Sequence, residues 1–355
     1  MINKNNLIVF AISLALVFFA SLLGPTVSTT PQDNDQEILR ATIAETSDLA
    51  PNVQSLTVVT STNEETLVIE NDETLNATPR TFTAGDQVLL THLITENQYY
   101  VLDYDRQKPL TYLFLVFIAL VFLVTGYHGL GSLLGLVFSF IILFQLVLPM
   151  IVNGSDPLHA AILGVLFITP ITFFTSHGAN KKTAIAAIGT LITLVIAAVL
   201  ASLFARLGHL TGAASEEAAY LTLDTASQID FQGLILAGII ISVLGVLDDI
   251  TISQASIVQE LRAAKTRISF RELFTRAMRV GRDHIASIVN TLVLVYTGAA
   301  LPLLILFLDR GQAFSTVISY EFVSEEIIRT LIGSSALVLA VPITTLLAVV
   351  AFKRR

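Results

Sequence analysis

The stretch GLILAGIIISVLGVLDDITISQASIV, residues 233–258, decides how this chain is read. Its first part, Leu234–Leu247, is an unbroken run of apolar and small residues. Two adjacent carboxylates, Asp248 and Asp249, follow it, and Ile250, Ile252, Ala255, Ile257 and Val258 then resume the apolar pattern. A run of this kind suits a helix crossing a hydrocarbon core roughly 30 Å thick, where only a helix satisfies its own backbone. If the helix continues past Leu247, both acids lie inside the hydrocarbon. A carboxylate there is costly unless it is protonated, paired or hydrated, and a group poised between those states is how a proton relay is made. The alternative is a cap at the cytoplasmic interface, bonded to loop arginines such as Arg262.

Around this pair the spacing is helical. Gly238, Ser242, Gly245, Asp249, Ser253, Ser256 and Glu260 fall at steps of three or four and form one small and polar stripe. Small residues of this kind let neighbouring helices approach closely. Asp248 points about 100° away from the stripe. Asp283, Ser287, Asn290 and Thr297 fit one face of the next apolar segment and form a partner stripe, with His284 beside it. Asp248, Asp249, Asn290 and Asp283 are therefore the candidate proton or ion relay, and Gly238, Ser242, Gly245, Ser253 and Ser256 the candidate helix-packing stripe. Glu325 and Arg329 stand four apart, as an ordinary helix-end ion pair does. Pro170, Pro302 and Pro342 lie within apolar segments, where each can kink or break a helix.

The rest of the chain agrees with a membrane setting. Hydrophobic residues make up 54% and charged residues 14%, against about 45–50% and about 25% in a soluble domain. A first apolar run covers residues 7–23 and reads as an uncleaved span, because Leu22, Leu23 and Pro25 make a poor cleavage site, with a secretory signal peptide as the alternative. Further spans are expected at 110–127, 130–151, 157–176, 183–205, 232–250, 285–308 and 327–351, for about eight in all. Alternating them from a cytoplasmic N-terminus places thirteen of the chain's 20 basic residues inside, and four of the other seven fall in residues 25–108. That bias puts both termini in the cytoplasm and residues 25–108 outside.

Residues 25–108 have a different character, with fourteen acids against the bases Arg40, Arg80, Arg106 and Lys108. Strand-like pieces recur at Ser55–Thr60, Glu65–Glu70, Gln87–Leu93 and Gln98–Asp103, with Ala84-Gly85-Asp86 as a turn into the third. A loose linker is expected at 25–38. The expected fold is a membrane all-α helical bundle with a small extracytoplasmic β-rich domain, OB-like or a sandwich. Its parts are an anchor over 1–24, the acidic β domain over 25–108, and a seven-helix domain over 109–355 with a cytoplasmic amphipathic loop at 251–284. In that loop Ser269 and Glu272 form a capping box, so a helix should start near Phe270 and end at Gly281. Phe270, Leu273, Phe274, Ala277 and Met278 would share an apolar face suited to the inner membrane surface.

The chain has no cysteine, which excludes disulfides, thiolate metal sites and a cysteine nucleophile. It carries no phosphate-binding loop, zinc-protease motif or nucleophile elbow. No enzyme, cofactor or metal site is expected, and no basic tract offers nucleic acid a surface. The expected partners are the lipid bilayer, an extracytoplasmic protein or a transported solute, and other subunits in a homo- or hetero-oligomer.

Four segments together resemble a known family: Val246–Gln254 (VLDDITISQ), Gly281–Leu292 (GRDHIASIVNTL), Glu326–Gly333 (EIIRTLIG) and Val341–Thr344 (VPIT). They look like the YibE/F-like family, which implies a multi-pass protein of the bacterial plasma membrane, with the likeness extending over nearly the whole chain. The Asp248-Asp249 region is also similar to part of the resistance–nodulation–division transporters and the SecD/SecF export proteins. That second likeness implies a proton-relay role for Asp248 and Asp249. The chain departs from those proteins in its small outer domain, in about two extra spans, and in following the acids with Thr251, Ser253 and Gln254.

Overall fold

A computed structural model describes residues 36–50, 53–61, 66–72, 81–224, 229–265, 267–309, 311 and 313–352. The expected span at 7–23 lies outside the described residues. The chain forms two compact units that divide at Gly126.

The first unit holds five strands and one helix. The strands are β1 (Gln36–Ala50), β2 (Val53–Thr60), β3 (Thr66–Asp72), β4 (Gln87–Leu93) and β5 (Gln98–Tyr104). All pairings are antiparallel, in the order β3-β2-β1-β4-β5. β1 pairs with β4 through residues 36–42 and with β2 through residues 41–50, with register shifts after Ile43 and Asp48. Such bulges bend a strand, and the two edges, β3 and β5, come into contact. One sheet has no second layer to bury its apolar face against, so it rolls up around that face. Ala41, Ile43, Leu56, Val58, Ile69, Phe82, Val88 and Leu90 form the enclosed core. The result is the OB-like alternative, a partly open five-stranded barrel, rather than a two-sheet sandwich.

The segment before β4 is held in place by polar contacts. The Phe82 amide donates to Gln54 Oε1 at 3.0 Å, and the Tyr104 hydroxyl donates to the Thr81 carbonyl at 2.8 Å. Gly85 takes φ 98° in the turn, a conformation that favours glycine. Leu56 is fully buried at the centre of this core. Leu56→Ala should destabilise the strands by about 2–5 kcal/mol. Faster amide exchange across β1–β4 in the full-length protein would show it, and unchanged protection would contradict the core assignment.

Helix α1 (Gln107–Thr125) closes the first unit. Asp105 accepts the Gln107 amide at 2.9 Å and pairs with Arg40 of β1 at 3.4 Å, which ties the helix start to the sheet.

The second unit is helical. It contains α2 (Tyr127–Ile142), continued by a π-helical turn at Leu143–Val147 into α3 (Leu148–Val152). Then come α4 (Pro157–His177), α5 (Lys181–Leu207), α6 (Glu216–Asp224), α7 (Phe231–Ala264), α8 (Phe270–Ala299), α9 (Leu301–Asp309), α10 (Phe314–Val317) and α11 (Glu321–Ala351). Among the described residues of both units, six helices are long and apolar enough to cross a membrane: α1, the α2–α3 rod, α4, α5, α7 and α11. Helices α5, α7 and α11 pack on one another; α4 lies against α7, α8 against α11, and α2 against α4. Small residues permit this. A Cβ at Gly131 would collide with the Thr175 carbonyl oxygen, and one at Gly189 would lie 2.5 Å from Thr344 Oγ1.

Several expectations change here. The segment 285–308 is not one unbroken helix: α8 ends at Ala299 and α9 restarts at Leu301 with Pro302 in its first turn, while the Ala300 amide still bonds the Tyr296 carbonyl and the Leu304 amide the Ala300 carbonyl across the junction. Pro170 and Pro342 sit inside continuous helices. The stretch 251–284, expected as a loop, is helical up to Ala264 and again from Phe270. Ser269 does cap α8, accepting the Glu272 amide at 3.2 Å, but the helix runs through Gly281. Its apolar face does not lie free for a membrane surface either. Leu273 and Ala277 are buried in a cluster with Ile185, Val258, Ala348 and Val349. Glu272 bonds Lys265 and Arg276 at 2.9 and 2.8 Å. The Lys265 hydrogen bond above all holds its carboxyl below the usual range.

Candidate functional site

Helix α7 runs for 34 residues without a break. Asp248 therefore lies about 25 Å from either end of the helix. The side chain of Asp248 is half-buried, next to the fully buried Leu247 and Ile250. Its Oδ1 is shut off from solvent and has no hydrogen-bond partner. Asp249, one residue and about 100° further round the helix, is exposed. The two acids are thus chemically distinct despite being neighbours.

The stripe expected to pack helices is the open face of α7. Gly245 is exposed, and a Cβ there would meet nothing within 4 Å. At Gly238 the nearest atom would be Arg329 Nη1 at 4.0 Å. Ser242 and Ser256 donate to carbonyls of their own helix, those of Ile239 and Ile252; Ser253 is half-buried. The packed face is the opposite one, with Ile239, Ile240, Val243, Leu247, Ile250 and Val258. On α8, Asp283, Ser287, Asn290 and Thr297 are all exposed. Among the described residues no hydrogen bond or ion pair joins Asp283 or Asn290 to Asp248 or Asp249, so the two stripes are not brought together within one chain.

What the spacing did not reveal is a polar seam on the packed side. Gln254 is fully buried. Its Nε2 donates to the Ala277 carbonyl at 3.1 Å and to Thr345 Oγ1 at 2.6 Å, while its Oε1 has no partner. One turn earlier, the hydroxyls of Thr190 and Thr251 bond at 2.8 Å. These contacts join α5, α7, α8 and α11 at one level. Thr251 and Gln254, three residues apart, were the sequence signal for it.

The Glu325–Arg329 pairing is also different from expectation. Arg329 Nε faces Glu326 Oε2 at 3.6 Å, while Glu325, only 9% exposed, has an unpartnered buried Oε1. Glu321, one turn before it, accepts the amides of Thr211 and Gly212 and fixes the segment after α5.

Chemically, this arrangement offers two carboxyl oxygens shut off from solvent on membrane-type helices, Asp248 Oδ1 and Glu325 Oε1, neither of which has a hydrogen-bond partner among the described residues. No group of three or more metal-ligating side chains occurs among the described residues.

Residues 113–354 match the family described as YibE/F-like protein. The match leaves the strands outside it, so the family likeness covers the helices and not, as expected, nearly the whole chain. No curated protein and no solved structure matches the chain. With six apolar helices of spanning length and a family match over more than half its residues, this multi-pass membrane protein belongs to the YibE/F-like family.

Proposed function

We propose that the protein is a proton-coupled transporter or export-assisting machine in which Asp248 exchanges the coupling proton. The observation that carries this reading is the unpartnered, solvent-free Oδ1 of Asp248 halfway along α7. An ionisable group in such a position is expensive to keep and marks ion pathways in membrane proteins. Asp249, exposed and one residue further along α7, is suited to passing protons between Asp248 and its surroundings. The distribution of bases supports cytoplasmic termini and an outer β unit, which sets Asp249 on the cytoplasmic half of the pathway. Purified protein in vesicles carrying an internal pH dye tests the reading. An imposed potential should drive proton entry, and Asp248→Asn should remove it; equal flux in both proteins would sink it.

One observation favours a second reading, a scaffold or envelope-assembly factor whose β unit binds a protein. Ile38, Val68, Tyr100 and Leu102 are exposed on the outer face of the rolled sheet, where solvent-facing strands usually carry polar residues. On that reading, deleting residues 39–105 abolishes function while Asp248→Asn is tolerated.

A further inference from the structure

A groove of about 560 Å³ runs between α4 and α5 and is floored by Ile240 of α7. Its walls are apolar, including Leu166 on α4 and Leu191 and Val199 on α5, except at one end. There Ser202 and Arg206, one turn apart on α5, line the groove. No carboxylate lines it among the described residues, and no described acid pairs with Arg206. From Leu191 to Arg206 the groove follows α5 for about 22 Å, against about 15 Å for one leaflet's half of the hydrocarbon core.

We propose that this groove is a binding site for an anionic glycerophospholipid. One acyl chain lies along the Leu191–Val199 wall, and the phosphate meets the Arg206 guanidinium. Any apolar groove in a bilayer fills with hydrocarbon, so hydrocarbon alone selects nothing. The single charged end does select, because a zwitterionic headgroup brings its own cation up to Arg206 and an anionic headgroup does not. A guanidinium presents paired N–H donors that match two phosphate oxygens, and Ser202 adds a hydroxyl one turn down for an ester oxygen. The occupant is a lipid rather than a free phosphate, because the charge sits at the mouth of a long apolar channel and not in a polar pocket. The site is separate from Asp248 and does not depend on proton coupling.

The chain has no tryptophan, so one introduced tryptophan is a clean reporter. Leu203→Trp places it at the groove rim, and Leu346→Trp, on the exposed face of α11, reports ordinary boundary lipid. Both are reconstituted in vesicles of phosphatidylcholine with brominated phosphatidylglycerol or brominated phosphatidylcholine as quencher. The expected result is a roughly five-fold preference for the anionic lipid at position 203, the upper end for an exposed ion pair. That preference disappears with Arg206→Gln, and none is seen at position 346. Equal quenching by both lipids at position 203, or a preference that survives Arg206→Gln, overturns the proposal. Native mass spectrometry of the parent protein and Arg206→Gln, which needs no tryptophan, should show an anionic lipid retained by the first and lost from the second; equal retention counts against the site.

Discussion

Asp248→Asn is expected to lower proton-coupled activity by about a hundredfold or more, the scale of a lost proton-transfer group, without loss of folding. Asparagine keeps the size and shape of the side chain but cannot carry the proton. Stability should hold or rise slightly. Oδ1 of Asp248 has no partner to lose, and replacing an uncompensated buried acid by a neutral group removes a desolvation cost. Asp249→Asn should have the smaller effect, under about tenfold, because its exposed carboxyl can be replaced by water as a proton donor. Asp248→Glu should retain part of the activity. Full activity in a well-expressed Asp248→Asn protein would remove the basis of the relay reading. A larger loss at Asp249 than at Asp248 would move the relay to the open face of α7.

The second large effect is structural. Gly281→Val should detach α8 from α7 and α11. A Cβ at 281 would lie 2.5 Å from Val341 Cγ1 and 3.0 Å from Gln254 Oε1. Neither neighbour can yield freely, since both are buried and Gln254 is held by bonds to Ala277 and Thr345. Overpacking of this kind costs about 1–3 kcal/mol. Breaking the bonds of a buried amide adds about 1–3 kcal/mol more. Gly245→Val, where nothing stands within 4 Å, should change the stability of the single chain by less than about 0.5 kcal/mol. Thermal unfolding of both variants in detergent compares them directly. If Gly245→Val proves the more damaging, the packing assignment of α7 is inverted.

That contrast shows what the sequence could and could not disclose. Periodicity identified which residues share a face of α7, and it placed Gly238, Gly245 and Asp249 together correctly. It gave no sign of which face would be packed, because in lipid both an apolar and a small-residue face can be buried. Gly281 was read as a helix end, since glycine commonly is one, when its role is a close contact. Asp248 and Asp249 could be separated only once α7 had neighbours.

Four strands and the turn at Gly85 were legible from alternation and turn residues. β1 was not, although it is the longest strand. It pairs with two partners in succession and changes register twice, so its inward positions do not alternate along the whole length. The start of α8 was legible from Ser269 and Glu272. The break at Pro302 was foreseen as one of three chances, and tertiary packing kept the helices around Pro170 and Pro342 continuous. Gln254, which bonds both α8 and α11 from α7, looked in the sequence like a departure from a family pattern. Its importance rests on Ala277 and Thr345, both remote in the chain.

On the proposed reading Asp248, and not its neighbour, is a shielded proton-exchanging group. Single cysteines at 248, 249 and 245 in this cysteine-free chain, probed with a membrane-impermeant thiol reagent from each side, test it most directly. Ready labelling is expected at 249, with 248 protected at rest and its reactivity changing when a pH gradient is imposed. Labelling of 248 as fast as 249, from the cytoplasmic side and at the same rate with or without the gradient, would contradict it and leave the two acids as a plain interfacial cap.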